Sequence, residues 1–252
     1  MNYVCRIIDI LYKTKSMETL SKRSFFVLAA LSAFTTLRAQ TADDIVNKYV
    51  AAIGGKDALA GIKSLVMTGS TEVMGQDGTT TVTLVVGQGF KTETAIGDQK
   101  FINCITPKQG WALNPYMGAT TPTTIPDDQL KSGQVQLLLD PLANYAANGY
   151  KVELTGKDSA DYKIKLTGGG VELIYFVNQK TSLVDKFTST LNMGGQSMDI
   201  TISLSDYKKL DGGLLFPYTR VAEYPQATLT SNFKTVTVNS TVDPKVFDLP
   251  KQ

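Results

Sequence analysis

Apolar residues recur at every second position through most of this chain, in short segments divided by turn residues. Val82, Leu84 and Val86 alternate with threonines, and Phe90, Thr92 and Thr94 stand opposite Lys91 and Glu93. Phe101, Asn103 and Ile105 share one face of a segment, and Trp111, Leu113 and Met117 share a face of the next. Tyr150, Val152 and Leu154 alternate with Lys151, Glu153 and Thr155, as Tyr162, Ile164 and Leu166 do with Lys163, Lys165 and Thr167. Met198, Ile200, Ile202 and Leu204 form a further one-sided stripe, whereas 171–177 is apolar on both faces and reads as central or twice covered. A period of two is the mark of a strand with one face buried. Turns are expected at Gln76-Asp77-Gly78, Gly97-Asp98, Asn178-Gln179-Lys180-Thr181 and Asp211-Gly212-Gly213. About a dozen strands at this spacing, with no linker rich in Pro, Gly or Ser, predict one large antiparallel sheet of sequential hairpins, which tends to curl.

Two stretches break the pattern. Thr41-Ala42-Asp43-Asp44 reads as a helix N-terminus, with Thr41 as cap and two acids in the first turn. Ile45, Tyr49 and Ala52 make its apolar face, and Gly54-Gly55 ends it. The second stretch, Thr121 to Tyr150, reads as a pair of short helices. Pro126 with Asp127 and Asp128 starts one; Asp140 caps the other, with Pro141 at its first position. Leu137, Leu138 and Leu142 are among their apolar residues, and the sheet is the large partner available to cover them. The predicted fold class is therefore mainly β with α: one large curved antiparallel sheet, its concave face covered by an N-terminal helix and a central helix pair. The space so enclosed is either solid core or a ligand cavity.

The first 39 residues read as a cleavable signal peptide. Lys22-Arg23 precedes a short apolar run, 24–34, and Leu37-Arg38-Ala39 is an acceptable cleavage site. Met17 suits a leader start, because residues 1–16 add nothing a signal needs. The apolar run is too short for a membrane span. Residues 40–252 are then one domain, exported to the periplasm, secreted or peripheral to the outer membrane. No cysteine stands at the cleavage point for acylation, and only Cys104 remains beyond it. Residues 40–252 carry 19 Lys+Arg and 21 Asp+Glu, a balance that argues against a nucleic-acid partner.

The chain has no histidine, which removes the commonest general base, any histidine-based triad and the commonest zinc ligand. Dinucleotide and phosphate-loop fingerprints are missing, and Gly168-Gly169-Gly170 reads as a loose turn. No catalytic residue, metal ligand or cofactor is expected, and the chain reads as a non-enzyme. Arg220, the only arginine after residue 39, lies in a strand among Phe216, Tyr218 and Tyr224. Its readings are a stacked surface arginine, a clamp on a helix carbonyl, or a contact to a lipid headgroup.

Four passages resemble the LolA/LolB-like outer-membrane lipoprotein-sorting proteins. They are 42–45 running to Ala52-Ile53-Gly54-Gly55; Asp140-Pro141-Leu142-Ala143-Asn144-Tyr145 with 149–154; 211–217; and Val242-Asp243-Pro244-Lys245-Val246-Phe247-Asp248-Leu249-Pro250. Together they span nearly all of residues 40–252. The resemblance implies an incomplete β-barrel of about eleven antiparallel strands, with helices plugging a hydrophobic cavity that takes acyl chains. The chain departs from the family pattern in two respects: no arginine stands in the early strands, where chaperone-type members use one to close the helical lid, and it lacks the cysteine at which receptor-type members are usually acylated.

The expected function is a periplasmic binder or carrier of lipid or lipoprotein acyl chains, in lipoprotein sorting or envelope biogenesis. The alternative is a non-catalytic protein-interaction or assembly module with a filled core, its partners other envelope proteins. The expected lining is Phe90, Phe101, Trp111, Leu113, Val152, Leu154, Ile164, Ile200 and Ile202, with Leu137, Leu138 and Leu142 as lid and Arg220 beside them.

Overall fold

The computed structural model describes residues 40–250 apart from 194–195. Helix α1 (Ala42–Ala52) and the short α2 (Gly55–Gly61) come first. Strands β1 (Ser64–Val73), β2 (Gln76–Val85), β3 (Gly89–Ile96), β4 (Gln99–Ile105), β5 (Gly110–Leu113) and β6 (Thr123–Thr124) form one meander. A central segment containing α3 (Asp127–Gly133) follows. A second meander runs through β7 (Lys151–Asp158), β8 (Asp161–Gly168), β9 (Val171–Asn178), β10 (Val184–Met193), β11 (Gln196–Lys209), β12 (Leu215–Tyr224) and β13 (Ala227–Val238). All neighbours are antiparallel, and β1 pairs with β13, so the meanders fuse into one sheet of thirteen strands. The sheet is not closed: its edges are β6 and β7.

Those edges are the two strands that the central segment connects. In a flat sheet the twelve ladder steps between them would span about 58 Å, at roughly 4.8 Å each. The connection spends most of its length in helix and turns, which rise only about 1.5–2 Å per residue. Laid end to end at that rise, its 26 residues reach only about 39–52 Å, short of that distance. The sheet is therefore curled, and the central segment crosses its open side.

Local chemistry explains the covering elements. Thr41 accepts from the Asp44 N–H at 3.1 Å while Asp44 accepts from the Thr41 N–H at 3.1 Å, a reciprocal cap. Gly54 ends α1 with φ +118°, and a Cβ there would stand 2.6 Å from the Gly213 carbonyl oxygen. The central segment departs from the expected pair. Its first half is α3, extended by a 3-10 turn over Gln134–Leu137. The second expected helix is a run of turns over 141–149. Asp140 does cap it, accepting from the Ala143 N–H at 2.9 Å, but the chain then closes through mixed bonds, Asn148 N–H to both Asn144 and Tyr145 carbonyls. The first hairpin turn also sits earlier than expected. Met74 and Gly75 both have positive φ, 52° and 77°, the two-residue turn that matches strand twist, so Gln76-Asp77-Gly78 pairs within β2.

The covered face carries the main core. Ile45, Val46, Tyr49 and Val50 of α1, with Ile53 at its C-cap, pack with Leu65, Met67, Val82, Leu84, Ile164, Leu166, Tyr175 and Phe233 of the sheet. Burying such a side chain contributes roughly 1.5–3 kcal/mol. Leu142 of the central segment is fully buried in the same cluster. Ile105, Leu130 and Leu137 form a satellite under α3. The opposite face has a cluster of its own, in which Cys104 and Trp111 are capped by Phe247 of the C-terminal tail. The Trp111 Nε1–H donates to the Phe247 carbonyl at 2.9 Å.

Candidate functional site

Strand register sorts the expected lining residues by face. Leu154 stands opposite Ile164, Ile164 opposite Tyr175, Tyr175 opposite Phe187, Phe187 opposite Ile202, and Ile202 opposite Ala222. Val152 lies one step along this face beside Leu166, and Ile200 two residues from Ile202. In the other meander Phe90 pairs with Leu84 and Ile105, and Phe101 pairs with Thr94. These residues all point to the covered side. Trp111 and Leu113 do not. Their partners are Cys104 and Ile102, which alternate with Phe101, Asn103 and Ile105, so both fall on the opposite face. Trp111 is sealed there under the C-terminal tail. A one-position difference in hairpin register separates the two faces, and hydropathy alone does not reveal it.

The covered face is filled unevenly. Ile164, Leu166 and Leu142 have no exposed surface, and Leu137 is buried. Leu154, Phe187 and Leu204 are half-buried and pack at the margin of the core, and Ile202 is half-buried as well. The Phe187 ring lies 5.4 Å from that of Tyr175, tilted by 33°. Half-exposed apolar residues thus remain at Leu154 on β7 and across β10–β11, separated by the buried Ile164 and Tyr175. Phe90 and Phe101 are also half-buried, and Phe101 packs on Tyr116 at 4.7 Å. Leu138 lines a cleft of about 470 Å³ where Leu59, Ile62, Val85, Val86 and Leu139 meet the polar side chains of Asp140 and Asn144. A second cleft of about 430 Å³ lies beside the C-terminal tail, between Pro107, Gln109, Val242 and Phe247. Leu138 is the one expected lining residue on either cleft.

Arg220 stands on the covered face, opposite Ser231 of β13 and Leu204 of β11. It is half-buried, and makes no hydrogen bond or ion pair with the described residues. Burial pulls its guanidinium below the ordinary value, against the opposing influence of Tyr175, Tyr224 and Tyr207 nearby. It neither clamps a carbonyl nor lies on the outer surface. Beyond Ser231 the face stays polar: Thr71, Thr80 and Ser231 are buried, with Thr71 Oγ1 donating to the Thr230 carbonyl at 3.1 Å. Arg220 marks the border between these hydroxyls and the half-buried apolar residues of β10 and β11.

The fastening of the central segment escaped the sequence reading. The Tyr49 hydroxyl of α1 donates to the Asp140 carboxylate, and the Tyr145 hydroxyl donates to Asp43. Burial pushes the Asp140 carboxyl above the usual carboxylate range, while Tyr49 and the Ala143 N–H pull it back. Desolvation, then Asp140, drives the Tyr49 hydroxyl well above its ordinary value. The available signal was Tyr49 itself, a phenol on an apolar helix face whose hydroxyl needs a partner.

No family model matches the sequence, and no curated protein matches it. Solved structures do match its fold. A LolA superfamily protein from Nitrosomonas europaea superposes with a TM-score of 0.53 at 15% identity, covering 83% of this chain and 98% of that one. A DUF1329 family protein from Desulfovibrio piger gives 0.52 at 12% identity, over 83% and 98%. A domain provisionally described as an outer membrane lipoprotein-sorting protein, from Vibrio parahaemolyticus, gives 0.50 at 13%, over 81% and 95%. The resemblance read from the four sequence passages thus holds at the level of the fold.

Proposed function

We propose that this protein is a binder or carrier of hydrophobic ligands, lipids or lipoprotein acyl chains, acting after export in the bacterial envelope. The observation that carries the reading is the half-buried apolar patch of Phe187, Ile202 and Leu204 on the covered face of the curled sheet. Burying an acyl chain is worth roughly 0.8 kcal/mol per CH₂, so a ligand of this kind needs no polar network to bind. The fold neighbours from Nitrosomonas and Vibrio, described through LolA and lipoprotein sorting, support the same class of ligand. Among the described residues no helix is long and apolar enough to cross a membrane. The protein acts without catalysis in this reading, which rests on the absence of histidine from the sequence. The test is mass spectrometry of an organic extract of the protein, purified without detergent beside a mock preparation. A stoichiometric lipid, fatty acid or lipopeptide supports the carrier and names its cargo. One observation favours a second reading, an envelope interaction module: Ile164, Leu166 and Leu142 are fully buried, so part of the covered face is solid core. A clean extract, with no displacement of an apolar fluorescent probe by added lipids, would leave that module in its place.

A further inference from the structure

We infer that one rim of the curled sheet docks on a bilayer of zwitterionic lipid, with Met74, Tyr116, Met117 and Tyr224 entering its interface. The inference goes beyond the binder reading and stands whether or not a ligand is carried.

The most exposed large apolar side chains among the described residues are Met74 at 75%, Met117 at 72%, Tyr116 at 60% and Tyr224 at 39%. In an antiparallel meander alternate turns share one rim. Met74 lies in the β1–β2 turn, Tyr116 and Met117 in the β5–β6 connection, and Tyr224 ends β12 at the β12–β13 turn. All four therefore stand on the same rim. The turns of the opposite rim, at 86–88, 106–109, 159–160, 179–183 and 210–214, expose no large apolar side chain. Single exposed apolar residues scattered over a surface need no explanation, but four gathered on one rim do.

The backbone holds both methionines out. Met74 has φ 52°, a costly conformation for a long side chain, at a turn position where Asn, Asp or Gly is the ordinary choice. Asn114 accepts from the Tyr116 N–H at 3.1 Å, Gly118 closes the 3-10 turn with φ 78°, and the Tyr116 ring packs on Phe101 at 4.7 Å. Met117 thus sits at the tip of a formed turn beside a phenol, the residue type that gathers at bilayer interfaces. The spacing selects the partner. Successive hairpin tips lie two ladder steps apart, so along the rim Met74 stands about 10 Å from the β12–β13 tip and about 19 Å from the β5–β6 tip. Side chains so far apart do not make the packed centre of a protein interface, but each can enter a fluid surface by itself. Charge narrows the surface further. Glu72, Asp77, Asp98 and Glu223 are exposed at these tips, and Lys100 is paired with Glu93 at 3.0 Å. An acidic rim is repelled by anionic lipid and suits a zwitterionic one.

The test puts a fluorophore on each rim. Trp111 is sealed under the C-terminal tail, so a second tryptophan reports on its own position. Met117→Trp and, on the opposite rim, Lys180→Trp are mixed with phosphatidylcholine vesicles, with and without brominated acyl chains. The emission of Met117→Trp should shift to the blue and be quenched by the brominated lipid, while that of Lys180→Trp stays unchanged. In flotation with the same vesicles, Met74→Asn combined with Met117→Ser should lower partitioning by about tenfold or more. Its Tm should not fall, because both side chains are exposed and Asn accepts the left-handed backbone at position 74. Replacing part of the phosphatidylcholine by phosphatidylglycerol should weaken the response. No shift in Met117→Trp, an equal shift in Lys180→Trp, or partitioning that survives the double substitution overturns the inference. So does a response that rises with phosphatidylglycerol and falls with salt. A dimer that the double substitution breaks, with no response to vesicles, overturns it too and gives the rim to a second copy of the chain. The extract and probe displacement that test the binder reading do not depend on any of these results.

Discussion

Replacing Tyr49 by Phe tests how the central segment is held over the sheet. The substitution keeps the ring that packs in the core and removes the hydroxyl that donates to Asp140. A hydrogen bond to a charged group contributes about 1.5–3 kcal/mol, and losing a buried one leaves the partner unsatisfied. For a domain of this size each kcal/mol moves Tm by about 2–4 °C, so the expected loss is about 3–12 °C. Tyr145→Phe is the internal control: it breaks the parallel bond to Asp43, whose side chain is exposed, and should cost about 2 °C or less. Thermal unfolding followed by near-ultraviolet circular dichroism reads both. The loss in Tyr49→Phe should also depend on pH. Removing the hydroxyl lets the Asp140 carboxyl rise further above the ordinary range, so the penalty is largest where Asp140 must be ionised and shrinks in acid. A loss no larger than that of Tyr145→Phe, or one independent of pH, would refute the fastening.

Three further outcomes follow from the same geometry. Because the folded state raises the Asp140 carboxyl, its contribution to stability is complete below the ordinary value of about 3.9 and is lost as pH rises through the folded value. Urea titrations should therefore show the wild type gaining on Asp140→Asn as pH falls from 7 toward 4. The Cys104 thiol has no exposed surface, and burial pushes it up to about 11; a disulfide reagent at pH 8 should label it only on unfolding. Gly89→Ala would set a Cβ 2.6 Å from the Phe247 ring and displace the tail from Trp111, the chain's only tryptophan. Its fluorescence should shift to the red, and an unchanged spectrum would sink that account.

Why some elements were legible and others not follows from the range of the interactions that specify them. The cap at Thr41, the stop at Gly54 and the alternation of 162–166 depend on neighbours a few residues away, and each stands as read. The turn at Met74-Gly75 was missed because the strand ends set it through the ladder, not through the usual turn residues. The turns over 141–149 carry a helix-like pattern, but Leu142 is buried and Asp140 held at one end, and the chain closes as its anchors allow. Phe176 explains the doubly apolar β9: on the outer face it is covered by Lys163 and Lys186, whose ammonium groups lie 5.6 and 4.5 Å from its ring.

The amino-acid order by itself determined a strand count of about a dozen, against the thirteen observed, the antiparallel class, the two covering segments and the singularity of Arg220, because alternation, turn chemistry and composition are local properties. Tertiary structure alone decided that β1 meets β13 and that the central segment ties one sheet edge to the other. It also decided that Trp111 and Leu113 face away from the covered side they were expected to line, and that Arg220 stands on that side with no hydrogen bond or ion pair to the described residues. Each of these depends on pairing between residues far apart in sequence. A shift of one residue in such a pairing exchanges the two faces of a strand while leaving its pattern unchanged.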